Sequence, residues 1–292
     1  MAAIAPQKRV LCDRMNALSL FPRRSFVRCP PLPRCAQRIG RGTACALAAL
    51  LPSVPAGAQA PIPQACFAQD VQPEAVEIVA GEPFGAVLLA DGRRLRLAEI
   101  RLADEVGMAV EGRALIVVTG AQDRWGQLPA HVLAQGPHGA VWLQADLLER
   151  GLAVVDPETG GLSCLQPLLA AEDAARHRDV GLWRVAPVLR ADQPDLLLAR
   201  TGHFAVVEGR IHSLGKTRRY RYLNFGRHWA SDFTATVDTR VEADLTARGL
   251  ALDDLNGARV RIRGVVQAQD GPHIELTHPA QLERLPMEQI AQ

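Results

Sequence analysis

The stretch AVLLADGRRLRLAEIRL, residues 86–102, constrains the fold more than any other part of the chain. Apolar side chains recur at alternate positions on both sides of Asp91-Gly92, and an Asp-Gly pair between such runs favours the tight turn of a β-hairpin. Three further runs have strand character: AVEIVAG, ALIVV and LPAHVL. Because such strands bury at least one face against a core, we predict a mainly β fold with some helices, of the α+β class.

Three segments have the pattern of helices placed between the strands. VWLQADLLERG (141–151) and ADLTARGL (243–250) each have a glycine at or near their end. CLQPLLAAEDAARHRDVGLW (164–183) has Pro167 near its start and Gly181 after its predicted end. Proline is favoured in the first turn of a helix and glycine just past the last turn, so these residues predict where the helices begin and end.

The chain divides into strand-rich regions separated by Pro-containing segments. The second region has about five predicted strands, one helix and no long parallel crossover. This pattern predicts a small closed barrel with a second hairpin at Asp270-Gly271. The predicted parts are a leader (1–58, with cleavage near 58–60), a connecting segment (59–76), a first domain (77–184), a linker (185–200), a second domain (201–286) and a tail (287–292).

The leader has the three parts of an export signal. It carries nine of the 33 Lys and Arg residues against one acid, Asp13, and then a short apolar run, TACALAALL. Ala56 and Ala58 follow at the spacing that export peptidases cleave after. We therefore predict a protein exported to the periplasm or secreted; the alternative is a basic leader that stays attached. No window approaches the roughly 18 apolar residues of a spanning helix, so no membrane span is predicted.

Removal of the leader changes the charge of the protein. The formal net charge of the whole chain is +2, whereas the remaining 24 basic and 30 acidic residues give −6. A nucleic-acid partner must therefore be argued from a local basic surface rather than from the global charge.

Only two of the six cysteines, Cys66 and Cys164, lie beyond the leader. In an oxidising compartment such a pair favours a disulfide, which would join the start of the exported chain to a point about 100 residues on. Two free buried thiols are the alternative.

Four segments in this order resemble the staphylococcal nuclease (thermonuclease) family: DGRRLRLAEI, DRWGQLPAHV, LLERGLAVVD and AAEDAARHRDVGLW. The resemblance covers roughly residues 77–184 and implies a five-stranded oligonucleotide-binding (OB) barrel with helices beside it. The segments EGRIHSLG, YRYLNFGRHWASDFTATV and VRIRGVVQAQDGPHIELTHP resemble the accessory barrel of secreted members. The resemblance thus implies two small OB-like barrels in tandem, the first SNase-like.

The family hydrolyses phosphodiesters with two arginines, a glutamate and a calcium ion, which together stabilise charge that grows on the phosphorane and position the attacking water. Arg96 stands at the first arginine position, and Asp104 at the glutamate position. Gln127 replaces the second arginine, which follows the glycine of the DRWG turn. Losing one such cation costs on the order of 10² to 10³ in rate.

The calcium ligands of the family are also missing. Arg101 replaces one metal-binding aspartate, and Pro83-Phe84-Gly85-Ala86 aligns with the family's other metal motif but contains no carboxylate. The resemblance therefore implies a pseudo-nuclease without a metal or other cofactor. The alternative is an active phosphodiesterase with a rearranged site built on Arg96, Arg101 and Asp104.

The second domain contains a cation-rich hairpin. Residues 210–227 hold six cations and no acid, with aromatic residues between them. Alternation would place Tyr220 and Tyr222 on one face and Arg219 and Arg221 on the other, so that rings stack on bases while cations follow phosphates. We call the following residues the basic hairpin: Lys216, Arg218, Arg219, Tyr220, Arg221, Tyr222 and Arg227.

These features favour a nucleic-acid-binding protein, with single-stranded DNA or RNA as ligand. Two other interpretations stay open: an active nuclease with an altered site, and an envelope interaction or structural protein, which the net charge of −6 favours. A solvated hairpin whose aromatic residues belong to the core is the simpler interpretation of residues 210–227. The four tryptophans are predicted to be packing residues.

Overall fold

The computed structural model describes residues 62–67, 71–82, 85–103, 108–136, 139–185, 188–228 and 230–286. The predicted leader and tail, Asp104, the Pro83-Phe84 pair and Trp229 lie outside these residues. All of the described residues belong to one compact unit, Pro55–Gln292. None of the described helices is both long enough and apolar enough to cross a bilayer.

The N-terminal half, residues 62–185, contains eight strands, three α-helices and the short 3-10 helix Gln64–Cys66 among its described residues. The strands are β1 (Glu74–Gly81), β2 (Ala86–Leu89), β3 (Arg94–Leu97), β4 (Ile100–Leu102), β5 (Gly112–Val118), β6 (Gln127–Gly136), β7 (Gly139–Trp142) and β8 (Ala153–Val155). The helices are α1 (Leu143–Glu149), α2 (Leu162–His177) and α3 (Leu182–Val185).

Five of these strands form a closed barrel. Strand β1 pairs with β2 and β5, β2 pairs with β3, and β5 pairs with β6, all antiparallel. The parallel pairing of β3 with β6 closes the ring, and β7 extends it from β6. The predicted hairpin at Asp91-Gly92 joins β2 to β3. The chain is thus a mixed α+β protein, mainly of strands, with a five-stranded barrel.

Alternation along the barrel strands places their apolar side chains inside. Leu95 and Leu97 of β3, and Ile116 of β5, are fully buried, and they belong to a core that also includes side chains of α1 and α2. Outside the barrel, β4 pairs with β8 as a separate two-stranded ladder. The Cys66 and Cys164 side chains are joined by a disulfide, which connects the segment before β1 to the first turn of α2.

The second predicted helix begins at Leu162, two residues before the predicted segment, and ends before Gly181, as predicted. It ends at His177, and α3 follows after a turn in which Gly181 has φ +57°. A Cβ on Gly181 would lie 2.3 Å from the carbonyl oxygen of Gly151, whose own φ is +66°. The two glycines therefore let the end of α1 and the start of α3 meet directly, which a continuous helix would prevent.

The C-terminal half, residues 188–286, contains nine strands, two α-helices and two short 3-10 helices, Leu252–Leu255 and Pro279–Gln281, among its described residues. The strands are β9 (Leu189–Arg190), β10 (Phe204–Arg210), β11 (Ser213–Lys216), β12 (Tyr220–Asn224), β13 (Thr234–Asp238), β14 (Arg259–Val265), β15 (Gln267–Ala268), β16 (Pro272–Leu276) and β17 (Leu282–Arg284). The helices are α4 (Pro194–Leu198) and α5 (Thr239–Ala247).

These strands form two sheets, with the orders β17-β14-β10-β9 and β11-β12-β13-β16-β15. The sheets share one core, which includes Leu223, Phe233 and Ile262. Among residues 188–228 and 230–286 no ladder joins the two sheets, so closure of a second barrel stays a prediction.

The segment predicted as a linker, 185–200, has regular structure in its described part. Strand β9 pairs in parallel with β10 at Leu189–Val207 and Arg190–Glu208, and α4 follows with Pro194 at its start. Leu197 of α4 is fully buried in the core of the C-terminal half. Residues 188–200 therefore fold with that half rather than as an open connection.

Candidate functional site

Arg96, at the predicted catalytic position, is held by acidic side chains. It lies on β3, and its guanidinium donates two hydrogen bonds to the carboxylate of Glu158, one of them at 2.9 Å from Nη2 to Oε2. Its Nε lies 3.9 Å from Asp123 Oδ2. A bidentate pair of this kind uses the same guanidinium face that would bind a phosphate. We call Arg96, Asp123 and Glu158 the Arg96 site.

The buried carboxylate of Glu99 fixes the loop that carries Glu158. Glu99 is 1% exposed and has φ +64°. Its two oxygens accept hydrogen bonds from the backbone N–H groups of Glu158 at 2.8 Å, Thr159 at 3.1 Å and Gly160 at 2.8 Å. The loop is therefore pinned against the barrel, and Glu158 is positioned over Arg96 by its own backbone.

Burial raises the pKa of Glu158, and this effect outweighs the hydrogen bond from Arg96, which lowers it. A carboxyl group with a raised pKa beside an arginine has the composition of a proton-transfer site. Sequence reasoning missed Glu158 because it lies 62 residues from Arg96, and DPET by itself reads as an ordinary polar turn.

The DRWG turn presents Gln127 at the start of β6, next to Arg94 on β3. Asp123 Oδ1 accepts hydrogen bonds from the backbone N–H groups of Trp125 and Gln127, both at 2.9 Å. The turn is thus fully formed without a cation at position 127.

Trp125 differs from the packing role predicted for the tryptophans. It is 65% exposed, with the Arg124 guanidinium 4.0 Å from its ring centroid. Trp142 and Trp183 are buried, as predicted.

The other cation of the rearranged-site hypothesis lies elsewhere. Arg101 on β4 donates to Asp156 Oδ2 from Nε at 3.0 Å and from Nη2 at 2.7 Å. Its Cζ lies 5.3 Å from the ring centroid of Phe204. The structure thus brings Gln127 and Arg96 onto neighbouring strands, and it gives Arg101 an acidic partner of its own. Asp104, the remaining catalytic candidate, lies outside the described residues.

One cluster in the described part of the chain has metal-ligand spacing: Cys66, His131 and Cys164, whose ligand atoms lie within 4.8 Å of one another. Its two sulfurs are already bonded to each other, and His131 Nε2 lies 3.5 Å from Cys164 Sγ. Burial lowers the pKa of His131 to about 4. In this state the cluster is a disulfide packed against a neutral imidazole.

The basic hairpin spans β11, β12 and the residues that follow. Lys216, Arg218, Arg219 and Arg227 are exposed, and Tyr220 and Tyr222 are half-buried. Arg219 Cζ lies 5.6 Å from the ring centroid of Tyr220. The hairpin therefore has exposed cations beside partly accessible rings.

Arg221 differs from the other hairpin cations. It pairs across the strands with Val237, on the side of β12 that carries the buried Leu223. Its side chain is 6% exposed and bonds to Glu242 at 2.6 Å and to Asp253. Alternation correctly separates Arg221 from the tyrosines, but the arginine side faces the interior, so this cation is neutralised within the fold.

The opposite face of the same sheet is polar and aromatic. Tyr222 lies across from Thr236 on β13, and Thr236 is bonded through Oγ1 to His273 Nε2 at 2.9 Å. Burial lowers the pKa of His273, so the imidazole favours its neutral form. Asn224 Nδ2 donates to Ser213 Oγ at 3.3 Å. This face thus combines half-buried rings with hydrogen-bonding groups, and it also carries two acids, Asp238 opposite Tyr220 and Glu275 opposite Thr236.

No protein-family model matches the chain, and a search of curated proteins gives no match.

Proposed function

We propose that this chain is an exported, catalytically impaired protein of the staphylococcal nuclease type that binds single-stranded nucleic acid. In this proposal the five-stranded barrel is the SNase-like barrel, the C-terminal half is an OB-like module, and the basic hairpin is the binding surface. The resemblance of four ordered motifs and the compatible barrel support the family assignment.

One observation carries the binding part of the proposal: exposed cations and half-exposed rings lie together on one hairpin. Lys216, Arg218 and Arg219 are exposed within a few residues of Tyr220 and Tyr222. Base stacking on aromatic rings contributes about 1–3 kcal/mol per base and tolerates any sequence, whereas cations follow the phosphates. The surface therefore suits a single strand better than a duplex, whose bases are already stacked.

The state of the Arg96 site supports loss of catalysis. Its arginine is bonded to Glu158, and the neighbouring strand offers Gln127 instead of a second cation. A phosphate could reach Arg96 only after displacing a carboxylate that the loop holds in place. The remaining donors would then have to stabilise the transition state without the family's second arginine and calcium.

Fluorescence anisotropy of a labelled oligothymidylate tests the binding site, using the chain from residue 59 onward so that the basic leader does not contribute. We expect Lys216→Gln, Arg218→Gln and Arg219→Gln together to weaken binding and to reduce the salt slope by about 2, since each phosphate contact contributes about 0.7. A matched control changes three exposed arginines elsewhere, Arg113, Arg240 and Arg284, to Gln. Equal losses in both variants would rule out the hairpin as the site.

The stacking role is tested separately. Tyr220→Leu with Tyr222→Leu should weaken binding by about tenfold at unchanged salt slope, since it removes stacking but no charge. A changed slope with unchanged affinity at low salt would contradict a stacking role.

The competing function is a phosphodiesterase, which the raised pKa of Glu158 beside Arg96 favours. Cleavage of a fluorophore-quencher oligonucleotide, with and without calcium, distinguishes the two. We expect no turnover above that of an Arg96→Ala variant of equal thermal stability. Turnover that Arg96→Ala abolishes would show that the site is rebuilt rather than lost, and would overturn the pseudo-nuclease proposal.

A further inference from the structure

A cleft of about 600 Å³ lies where the N-terminal and C-terminal halves meet. Strands β4 and β8 and helix α3 line it from the first half, and α4 and β10 line it from the second. Its volume falls within the range of about 300–1,000 Å³ that is typical of small-molecule sites. It involves neither the Arg96 site nor the basic hairpin.

The wall of the cleft is mostly aliphatic. Leu182, Trp183 and Val206 line it, and Val206 and Trp183 belong to a small buried cluster between the halves. Val185 and Leu196 also line it, although they are 78% and 53% exposed. Two large apolar side chains left this open at a concave surface indicate that an apolar molecule can still be buried there.

The polar side chains of the lining are all basic. Arg101, Arg200 and His203 line the cleft, and no Asp or Glu is among its described lining residues. Arg101 is held in place by Asp156 and by its position over Phe204. Arg200 is exposed, and its side chain has no hydrogen-bond or ion-pair partner among the described residues.

The histidine of the lining leaves one ring nitrogen available. His203 Nδ1 lies 3.2 Å from the carbonyl oxygen of Thr201, and Nε2 has no partner in the described part of the chain.

We propose that this cleft binds a small amphipathic anion, with an unbranched apolar body against the aliphatic wall and a carboxylate beside Arg200. The apolar body would cover Val185 and Leu196, which the fold leaves open. The carboxylate would meet Arg200, which has no acidic partner among the described residues, whereas Arg101 is already paired with Asp156. A guanidinium is the group that recognises a carboxylate best. An oligonucleotide fits less well because its bases need a free aromatic face to stack on. Arg101 already lies over the ring of Phe204 in the lining.

Isothermal titration of the full chain with decanoate tests this site, with decanol as the uncharged ligand of the same shape. We expect saturable binding of decanoate at one site and weaker binding of decanol. Arg200→Gln should weaken the binding of decanoate about fivefold and leave the affinity for decanol unchanged, as expected for loss of one partly exposed charge pair. Leu196→Gln should weaken both ligands, because it interrupts the apolar wall.

Arg240→Gln, an exposed arginine on α5, is the matched control and should change neither ligand. The proposal is overturned if decanoate does not saturate, or if Arg240→Gln weakens it as much as Arg200→Gln does. It is also overturned if decanol binds as tightly as decanoate, or if an oligothymidylate displaces decanoate, since the cleft would then be part of a nucleic-acid surface. Thermal melts show whether each variant is folded.

Discussion

The environment of each arginine, rather than the number of arginines, decides what these side chains can do. Arg219 is exposed beside a ring, Arg96 is bonded to Glu158, and Arg221 is buried between two acids. All three look alike as charges in the sequence. Only the exposed one can meet a phosphate without first breaking an ion pair.

The raised pKa of Glu158 has a consequence for stability. A carboxyl group whose pKa is higher in the folded than in the unfolded chain binds more protons when folded. Its contribution to the free energy of unfolding therefore falls as the pH rises from the unfolded pKa through the folded pKa. Glu158→Gln removes the titration. We expect urea unfolding to show less loss of stability in the variant than in the parent between about pH 4 and pH 7. A larger loss in the variant would mean that the Arg96 pair outweighs burial.

His131 should have the opposite pH dependence. Its pKa is lowered to about 4 by burial, so stability is lost as the pH falls from the unfolded value of 6.5 toward 4. The full effect is at most about 3 kcal/mol. His131→Leu should reduce the difference in free energy of unfolding between pH 7 and pH 4.5. His212→Leu, at an exposed histidine whose side chain has no carboxylate partner among the described residues, serves as the control and should leave that difference as it is in the parent.

The sequence predicted well those elements whose structure is determined by residues close together along the chain. The hairpin at Asp91-Gly92, the hairpin at Asp270-Gly271 and the end of α1 near Gly151 all rest on local backbone preferences. The parallel closure of β3 on β6 and the pairing of β9 with β10 do not, because each joins distant residues. The same limit applies to Glu158, which is brought to Arg96 by a loop.

The disulfide between Cys66 and Cys164 should contribute strongly to the stability of the fold. Cys66 and Cys164 are 98 residues apart, and closing a loop of that size restricts the unfolded chain strongly. Cys66→Ala with Cys164→Ala should lower the free energy of unfolding by about 2–5 kcal/mol. A thiol reductant should lower the free energy of unfolding of the parent by a similar amount and leave that of the double variant unchanged. Sensitivity of the double variant to reductant would show that the effect is not due to this bond.

At the scale of the whole molecule, one buried arginine joins the two halves. Arg263 on β14 is fully buried and donates from Nη1 to Glu172 of α2, at 2.9 Å to Oε2, and to the Val155 carbonyl of β8 at 3.1 Å. Its other terminal nitrogen bonds to Glu283 of β17. Glu172 Oε2 also accepts the Val155 N–H at 2.5 Å. The core of one half is thus bonded to a strand of the other through one guanidinium.

Removing that guanidinium should separate the folding of the two halves. Arg263→Met leaves Glu172 buried without its cation, which costs about 3–5 kcal/mol for a buried pair. We expect the parent to unfold in one cooperative transition and Arg263→Met in two. In a Trp229→Phe background the remaining tryptophans, at 125, 142 and 183, report the N-terminal half by fluorescence, and circular dichroism reports the whole chain.

The companion variant tests the cause. Arg263→Met with Glu172→Gln removes both charges and should recover part of the lost stability, since the unpaired carboxylate is gone while Gln can still bond to the Val155 N–H. Failure to recover, with one transition throughout, would mean that packing at Ala175, Trp183 and Val206 joins the halves without help from the ion pair. In that case the amphipathic cleft between them would persist in Arg263→Met, whereas separation of the halves should abolish decanoate binding.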